Sequence, residues 1–172
     1  MLAKRVLDLT LASLLLLLLA PLLALLATAV AATTSGGVLT RSPRAGHLDG
    51  RTFQALRFRT ATDGRAAALG SRLRARSLDG LPQLVNVMRG EMSLVGPRPL
   101  LPEEAARAGA ARVRLGVRPG MTGLWQVGGR SDLPWEEREQ LDLQYAEEHW
   151  LGMDLRILAL TVPAALNARG RR

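Results

Sequence analysis

Cysteine is absent from the 172 residues, and aromatic residues are few: one Tyr, two Phe and three Trp. Without cysteine the chain forms neither a disulfide nor a zinc–thiolate site, which is compatible with the cytosolic side of a membrane. Few aromatic rings leave few platforms for base stacking, which argues against a protein that reads single-stranded nucleic acid. We therefore expect no nucleic-acid partner.

Acidic residues are also fewer than basic ones, with 15 Asp and Glu against 23 Lys and Arg and a formal net charge of +8. This balance favours an anionic partner, and charge alone leaves open a membrane surface, a nucleic acid or a phosphorylated substrate. The length allows one globular domain plus an appendage but not two full domains.

The longest apolar stretch, residues 9–32, contains no charged residue. As a helix it would be about 36 Å long, enough for a hydrocarbon core of roughly 30 Å. Pro21 removes one backbone hydrogen bond and predicts a kink near the middle. Basic residues flank both ends: Lys4 and Arg5 before the stretch, and Arg41, Arg44 and Arg51 after it. A helix that bends at Ala20-Pro21 and returns keeps both flanks in the cytoplasm, so we predict a re-entrant membrane helix over residues 1–34.

A secretory signal peptide is the alternative interpretation of this segment. Lys4 and Arg5 would form its basic region, and Ala29-Val30-Ala31 its cleavage site. The apolar stretch is longer than the roughly 7 to 15 residues of a usual signal peptide, and Asp8 interrupts the basic region. Both features favour the membrane helix.

Two short strand-like segments follow, residues 38–41 and 52–59, and the Asp49-Gly50 pair between them favours a turn. We predict a β-hairpin. Arg57 and Arg59 alternate with apolar residues and would share one face of the second strand. Two cations on one face can hold a diphosphate, or they can protect an edge strand from aggregation, and both interpretations stay open.

Helical patterns occupy much of the remaining chain. The predicted helices are residues 65–76 with a break near Gly70, 81–90, 102–114, 134–150 with Ser131 or Asp132 as its cap, and 153–168. Residues 117–123 are predicted as a loop or turn. The last helix either lies on anionic lipid or is buried against the domain.

Asp79 is a candidate nucleophile because of its place before Pro82. Proline lacks an N–H and fits the first turn of a helix, so Asp79 is expected at or just before a helix N-terminus. Free amides and the positive end of the helix dipole favour a phosphate there, and Arg74, Arg76 and Arg98 are near in sequence. The alternative is that Ser77 or Asp79 caps the helix.

Other candidate side chains lie on the predicted helix 134–150. Asp142, Tyr145 and Glu148 are spaced by three residues and so share one side, which is either surface or part of a site. His47 and His149 have no partner at the spacing of a metal site or a catalytic triad. We interpret both as surface residues.

Several motifs follow one another along almost the whole chain. They are Lys4-Arg5-Val6-Leu7-Asp8, Pro21, Arg57-Phe58-Arg59-Thr60, Ser77-Leu78-Asp79, Leu81-Pro82-Gln83-Leu84, Asn86-Val87, residues 92–100, residues 117–123, Leu124-Trp125-Gln126-Val127, Gly129-Arg130-Ser131, Leu141-Asp142, Trp150 and Asp154-Leu155. Together they resemble the bacterial sugar transferases, which are monotopic polyprenyl-phosphate phosphoglycosyl transferases that begin exopolysaccharide, O-antigen or glycan assembly.

The resemblance implies an α-rich α/β fold. Residues 35–172 would form a small cytoplasmic catalytic domain with surface amphipathic helices and the short hairpin, seated by the re-entrant helix on the inner leaflet of the bacterial plasma membrane. The implied activity is that of a phosphoglycosyl transferase (EC 2.7.8.-). It would transfer a sugar-1-phosphate from a UDP-sugar to polyprenyl (undecaprenyl) phosphate.

The resemblance also implies a two-step course through a covalent aspartyl-phosphosugar, with Asp79 as the catalytic nucleophile. The implied cofactor is Mg²⁺, held by Asp79, with Asp142 as a further candidate ligand. The arginines expected to bind the donor or lipid phosphates are Arg57, Arg59, Arg98 and Arg118.

One position departs from the family pattern. The family carries an Asp-Glu pair, whereas Asp79 is followed by Gly80. The glutamate is implicated in metal binding and catalysis, so another carboxylate such as Asp142 would have to supply its function. The alternative is a catalytically impaired family member that acts as a membrane-associated binding or partner protein.

Overall fold

Seven α-helices and four short strands make up the part of the chain that the computed structural model describes, residues 2–47, 51–60, 64–107, 109–128 and 133–166. They are α1 (Leu2–Thr33), β1 (Leu39–Ala45), β2 (Thr52–Phe58), α2 (Gly64–Ala75), α3 (Gln83–Arg89), β3 (Ser93–Val95), α4 (Pro102–Arg107), β4 (Gly120–Thr122), α5 (Leu124–Gly128), α6 (Trp135–Glu148) and α7 (Leu151–Leu166). Two 3₁₀ segments, Leu78–Gly80 and Gly109–Gly116, lie between them. The prediction of a helix-rich chain with a short hairpin is confirmed.

The apolar stretch forms one helix, α1, that continues through Ala20 and Pro21, and both residues are exposed. The proline therefore does not separate two helices. By length and composition α1 could cross a membrane. The re-entrant path remains a prediction.

Both halves of α1 contact the rest of the chain. Near its start, Lys4 Nζ lies 2.8 Å from Asp154 Oδ2, and the buried Asp8 accepts hydrogen bonds from Ser93 Oγ and Leu94 N. Near its end, Leu26 and Val30 belong to an apolar cluster with Phe58 and Leu73. Several leucines of α1 remain exposed: Leu14, Leu17, Leu18 and Leu25.

Strands β1 and β2 form the predicted hairpin, antiparallel with Leu39 opposite Phe58 and Ala45 opposite Thr52. Strand β1 is longer than expected because it continues through Pro43, which an edge strand tolerates. The register puts Arg44 and Arg57 on one face of the hairpin and Arg41 on the other. The predicted Asp49-Gly50 turn lies outside the described residues.

Helix α3 follows Pro82 and ends at Gly90, whose φ of 84° is left-handed, so the predicted helix is confirmed. Asn86 fixes α3 against β2: its Oδ1 accepts a hydrogen bond from Leu56 N at 3.0 Å, and its Nδ2 donates to Gln54 O at 2.8 Å. This contact places the residues before α3 beside the hairpin.

Strands β3 and β4 form a parallel pair, with Ser93 opposite Gly120. The prediction of a loop over residues 117–123 is therefore wrong for β4. Three residues are too few to show the alternation by which a strand is recognised. The backbones cross so closely at Gly96 and Gly120 that a Cβ at either position would clash with backbone atoms of the other segment.

Three helix predictions need correction. Helix α2 continues through Gly70, because a single glycine inside a helix costs only about 1 kcal/mol. The helix predicted over residues 102–114 ends at Arg107, and the 3₁₀ segment Gly109–Gly116 follows. Helix α6 ends at Glu148 rather than at residue 150. The predicted caps Ser131 and Asp132 lie outside the described residues.

Helix α7 is partly buried against the domain, as one of the two alternatives predicted, whereas contact with anionic lipid remains a prediction. Its Asp154 and Ile157 side chains are buried against the domain, whereas Leu155, Leu160 and Val162 are exposed. One side of the helix thus packs into the fold, and other positions present apolar side chains to the surroundings.

Candidate active site

Asp79 lies in the 3₁₀ turn Leu78–Gly80, directly before α3, and is 5% exposed. Its Oδ2 is 3.1 Å from Arg57 Nη1 on β2. The N-cap residue of α3 is Pro82, and the side chain of Ser77 makes no capping hydrogen bond. Asp79 is therefore not a helix cap, and its carboxylate instead faces the arginine-bearing face of the hairpin.

Apolar neighbours hold the Asp79 turn in place. Leu78 and Leu81 on either side of it pack against the cluster that contains Leu26 and Val30 of α1. The turn begins at Ser77, which has a left-handed φ of 58°. Leu78 and Leu81 thus hold the turn against α1, and the Asp79 carboxylate between them faces Arg57.

Two further arginines belong to the surroundings of Arg57. Burial, and then the positive charges of Arg57 and Arg98, lower the pKa of Arg44. Arg44 is therefore close enough to both Arg57 and Arg98, the other members of this arginine cluster, to be repelled by them, and the Glu104 carboxylate opposes this effect. Such an arrangement favours an anionic ligand. Arg44 was missed in the sequence, because its place on the face of Arg57 depends on how far β1 extends.

Arg59 and Arg118, the other arginines predicted to bind phosphates, contact backbone carbonyls. Arg59 Nε donates to Gly37 O at 2.9 Å, beyond the end of β2. Arg118 Nε donates to Gly90 O at 3.1 Å, at the C-terminus of α3. The structure thus places Arg57 and Arg98 each near Arg44, and it gives Arg59 and Arg118 other contacts. Their phosphate-binding role remains a prediction.

Asp142 is buried on α6. Its carboxylate accepts a very short hydrogen bond from Arg114 Nη2 and hydrogen bonds from Arg98 N at 3.2 Å. Burial raises the pKa of Asp142 to about 6, against the opposing effects of Arg114 and the Arg98 backbone N–H. Arg114 is itself 4% exposed. No sequence signal separated it from the other arginines of its Ala- and Arg-rich segment, and the role of Asp142 as a metal ligand remains a prediction.

Asp79 provides a single carboxylate for a metal ion. Among the described residues, no group of three or more His, Cys, Asp or Glu side chains is arranged to hold one. Mg²⁺ in phosphoryl-transfer sites is commonly bound by one or two carboxylates together with substrate phosphates. Mg²⁺ binding by Asp79 therefore remains a prediction, and it would need oxygen atoms of a phosphorylated substrate as further ligands.

Gly80 leaves room for a side chain. A Cβ at this position would meet no atom within 4 Å, and the φ of Gly80 lies outside the left-handed region. The absence of the second carboxylate is therefore not imposed by the backbone or by packing.

A second polar region lies at the start of α1, around a cavity of about 200 Å³ lined by Lys4, Arg118, His47, His149 and Asp154, among others. Tyr145 donates a 2.5 Å hydrogen bond to Asp154 Oδ1, and burial and Asp154 raise the pKa of Tyr145. Its ring stacks on His149 at 5.6 Å. Both histidines are thus partly buried, which corrects their interpretation as surface residues. The sequence predicted that Asp142, Tyr145 and Glu148 share one side of the helix over residues 134–150. Asp142 and Tyr145 are buried, whereas Glu148 is exposed.

Several known proteins are similar to this chain over nearly its whole length. The exopolysaccharide production protein ExoY of Rhizobium meliloti is 38% identical, with 98% of this chain and 87% of the relative covered. The uncharacterized sugar transferase EpsL of Bacillus subtilis is 36% identical, with 99% and 90% covered. The UDP-glucose:undecaprenyl-phosphate glucose-1-phosphate transferase of Caulobacter vibrioides is 41% identical, with 96% and 70% covered.

These alignments run over 198, 189 and 188 positions, more than the 172 residues of the chain, so the relatives contain residues that this chain lacks. The family model described as Bacterial sugar transferase matches residues 1–168. This range includes α1, the Asp79 turn and the arginine cluster. The resemblance drawn from the motifs is confirmed, and the chain belongs to the bacterial sugar transferase family.

Proposed function

We propose that the chain transfers a sugar-1-phosphate from a UDP-sugar to polyprenyl (undecaprenyl) phosphate, with Asp79 as the nucleophile. The observation that carries this proposal is the buried Asp79 carboxylate that faces Arg57, with Arg44 on the same face of the hairpin and Arg98 near Arg44. The printed name of the Caulobacter relative includes UDP-glucose and undecaprenyl phosphate, which supports these classes of donor and acceptor.

In the first step, a carboxylate oxygen of Asp79 attacks the sugar-bearing phosphorus of the donor. The bond from that phosphorus to the bridging oxygen breaks, and UMP leaves with this oxygen. In the second step, a phosphate oxygen of the lipid attacks the same phosphorus and releases the Asp79 carboxylate. The product is a lipid-linked diphosphate sugar, and the phosphosugar is carried on Asp79 between the steps.

The arginines reduce the repulsion between an anionic nucleophile and an anionic phosphorus. Arg57 orients the Asp79 carboxylate, and its side chain is 45% exposed, so it can also face a ligand from the solvent side. Arg44 and Arg98 add positive charge where the diphosphate would lie. Asp79 would hold Mg²⁺ together with the donor phosphates, and the ion supplies further charge neutralisation.

The contacts of α1 support a re-entrant membrane helix over residues 1–34, and we propose that residues 35–172 form the cytoplasmic domain against which it packs. Lys4 and Asp8 in the first half of α1, and Val30 in the second, pack against the same domain. In a helix that crosses the bilayer, these halves would lie toward opposite sides. Exposed leucines of α1 and the exposed apolar residues of α7 would face lipid at the bacterial inner membrane.

The proposal is tested with the purified full-length chain and a panel of UDP-sugars, with and without Mg²⁺. We expect release of UMP from at least one donor, dependent on Mg²⁺, and sustained turnover only when polyprenyl phosphate is added. A well-folded protein that releases no UMP from any donor would contradict the proposal and favour the catalytically impaired alternative.

Cysteine labelling tests the membrane arrangement, and the natural absence of cysteine makes single-cysteine variants unambiguous. We expect Ala3→Cys and Arg41→Cys both to be protected from a membrane-impermeant thiol reagent in intact cells, because both ends of α1 would lie in the cytoplasm. Both sites should react once the membrane is opened, which serves as the control. Labelling of only one site in intact cells would establish a span.

Restoring the family's second carboxylate should raise activity. Because a Cβ at residue 80 meets no neighbour, we expect Gly80→Glu to fold normally and to increase the rate of UMP release by about tenfold. Gly80→Gln, which has the same size without the charge, should give no such increase. If Gly80→Glu is folded but slower than the parent, the site does not use a second carboxylate at this position.

A further inference from the structure

We propose that the cleft at Trp135 and Trp125 binds the nucleobase of the sugar donor. This inference rests on the proposed function, since it assigns a subsite to the same nucleotide donor. It names Trp135 as the stacking platform and Trp125 as a hydrogen-bond donor to the base.

Arg98, a member of the arginine cluster, also contacts Trp135. The Arg98 guanidinium lies 5.6 Å from the centroid of the Trp135 ring. Trp135 and Asp142 are seven residues apart on α6 and so share one face of the helix. Since Arg98 N donates to the Asp142 carboxylate, Arg98 lies along that face with its guanidinium at Trp135.

Arg44 Nη1 donates a hydrogen bond to Pro99 O at 3.4 Å, next to Arg98 in the chain, and Arg44 lies on the hairpin face that also carries Arg57. Arg98 therefore links Arg44 on the hairpin to Trp135 on α6. A nucleotide with its phosphates at the cluster would direct its base toward Trp135. Trp135 is 43% exposed as a residue, and an exposed indole is a suitable surface for stacking a base.

Trp125 supplies a second feature of the cleft. Its indole N–H is buried and has no hydrogen-bond partner in the described part of the chain, an arrangement that costs free energy unless a ligand or water accepts the bond. The cleft has a volume of about 10 Å³, room for one oxygen-sized group. The base would thus lie at the mouth on Trp135, with a carbonyl oxygen directed into the cleft.

The position of Trp135 separates it from Trp150, the other strongly exposed tryptophan in the described part of the chain. It is the first residue of α6, whereas Trp150 follows the other end of that helix. A helix of 14 residues is about 20 Å long. Trp150 is 65% exposed and borders α7, so it is a matched control for an exposed tryptophan outside the cleft.

Calorimetric titration of the full-length protein in detergent with UMP and with ribose 5-phosphate tests the inference without requiring turnover. We expect the parent to bind UMP roughly tenfold more tightly than ribose 5-phosphate, since stacking favours the ligand that carries a base. In Trp135→Ala this ratio should fall close to one while the affinity for ribose 5-phosphate is retained. Trp135→Phe should keep most of the ratio, and Trp150→Ala should leave it unchanged.

Other outcomes separate this inference from the proposed function. Equal weakening of both ligands in Trp135→Ala would show that Trp135 acts only through Arg98 and would overturn the base subsite. An unchanged ratio in that variant, or a ratio near one in the parent, would overturn it as well while leaving phosphate binding intact. If the parent binds neither ligand, the proposed nucleotide donor itself is wrong.

Discussion

Asp79→Asn is expected to abolish UMP release, with a loss of at least about a thousandfold, because an amide cannot attack phosphorus and carry the phosphosugar. The substitution keeps the size of the side chain and an oxygen that can still accept a hydrogen bond from Arg57. A large loss would therefore report on chemistry rather than on packing. The measurement is the initial rate of UMP release at saturating donor.

Two controls accompany Asp79→Asn. Glu103→Gln removes an exposed carboxylate from the start of α4 and should leave the rate unchanged. The unfolding temperature of Asp79→Asn should stay close to that of the parent, since the buried turn keeps its shape. Retention of a tenth or more of the parental rate by Asp79→Asn would exclude Asp79 as the nucleophile.

The second large effect concerns the buried ion pair of Arg114 and Asp142. Arg114→Met keeps much of the side-chain volume but leaves the Asp142 carboxylate buried without its cation. We expect the free energy of unfolding to fall by about 3–5 kcal/mol at pH 8, the cost typical of breaking a buried pair from one side. Chemical unfolding in detergent, followed by tryptophan fluorescence, measures the change. Arg112→Met, an exposed position in the same 3₁₀ segment, should have little effect.

The loss in Arg114→Met should depend on pH. The pKa of Asp142 in the folded protein, about 6, is above its ordinary value of 3.8. The folded state therefore binds this proton more tightly, and its stability falls as pH rises from about 4 to about 6. Removing Arg114 raises the pKa of Asp142 further, so the loss should be clearly smaller at pH 5 than at pH 8. An equal loss at both pH values would show that packing rather than charge stabilises this pair.

The elements that the sequence predicted well are those with strong local signals. Pro82 and Gly90 mark the two ends of α3, because a missing N–H and a left-handed φ restrict those positions. The alternation around Arg57 likewise predicts a strand. The same local reasoning placed Asp79 near the start of α3, and the structure has it in the 3₁₀ turn that precedes Leu81 and the N-cap residue Pro82.

The features that the sequence did not reveal depend on contacts between distant segments. Arg114 is indistinguishable by sequence from its exposed neighbour Arg112, and only packing against α6 buries it. Strands β3 and β4 are recognisable only once they pair. In the sequence Asp8 only interrupts a basic segment, whereas in the structure its carboxylate accepts hydrogen bonds from Ser93 and Leu94 of β3. Such contacts are set by tertiary structure, which no short window of sequence contains.

The central claim, a phosphosugar carried on Asp79, is tested most directly by mass spectrometry of the protein mixed with a UDP-sugar and Mg²⁺ in the absence of lipid phosphate. We predict a mass increase equal to one sugar phosphate on the proteolytic peptide that contains Asp79. This increase should disappear when polyprenyl phosphate is added, and it should be absent from Asp79→Asn. UMP release at the full rate with no adduct, or with an adduct on a peptide without Asp79, would contradict the account.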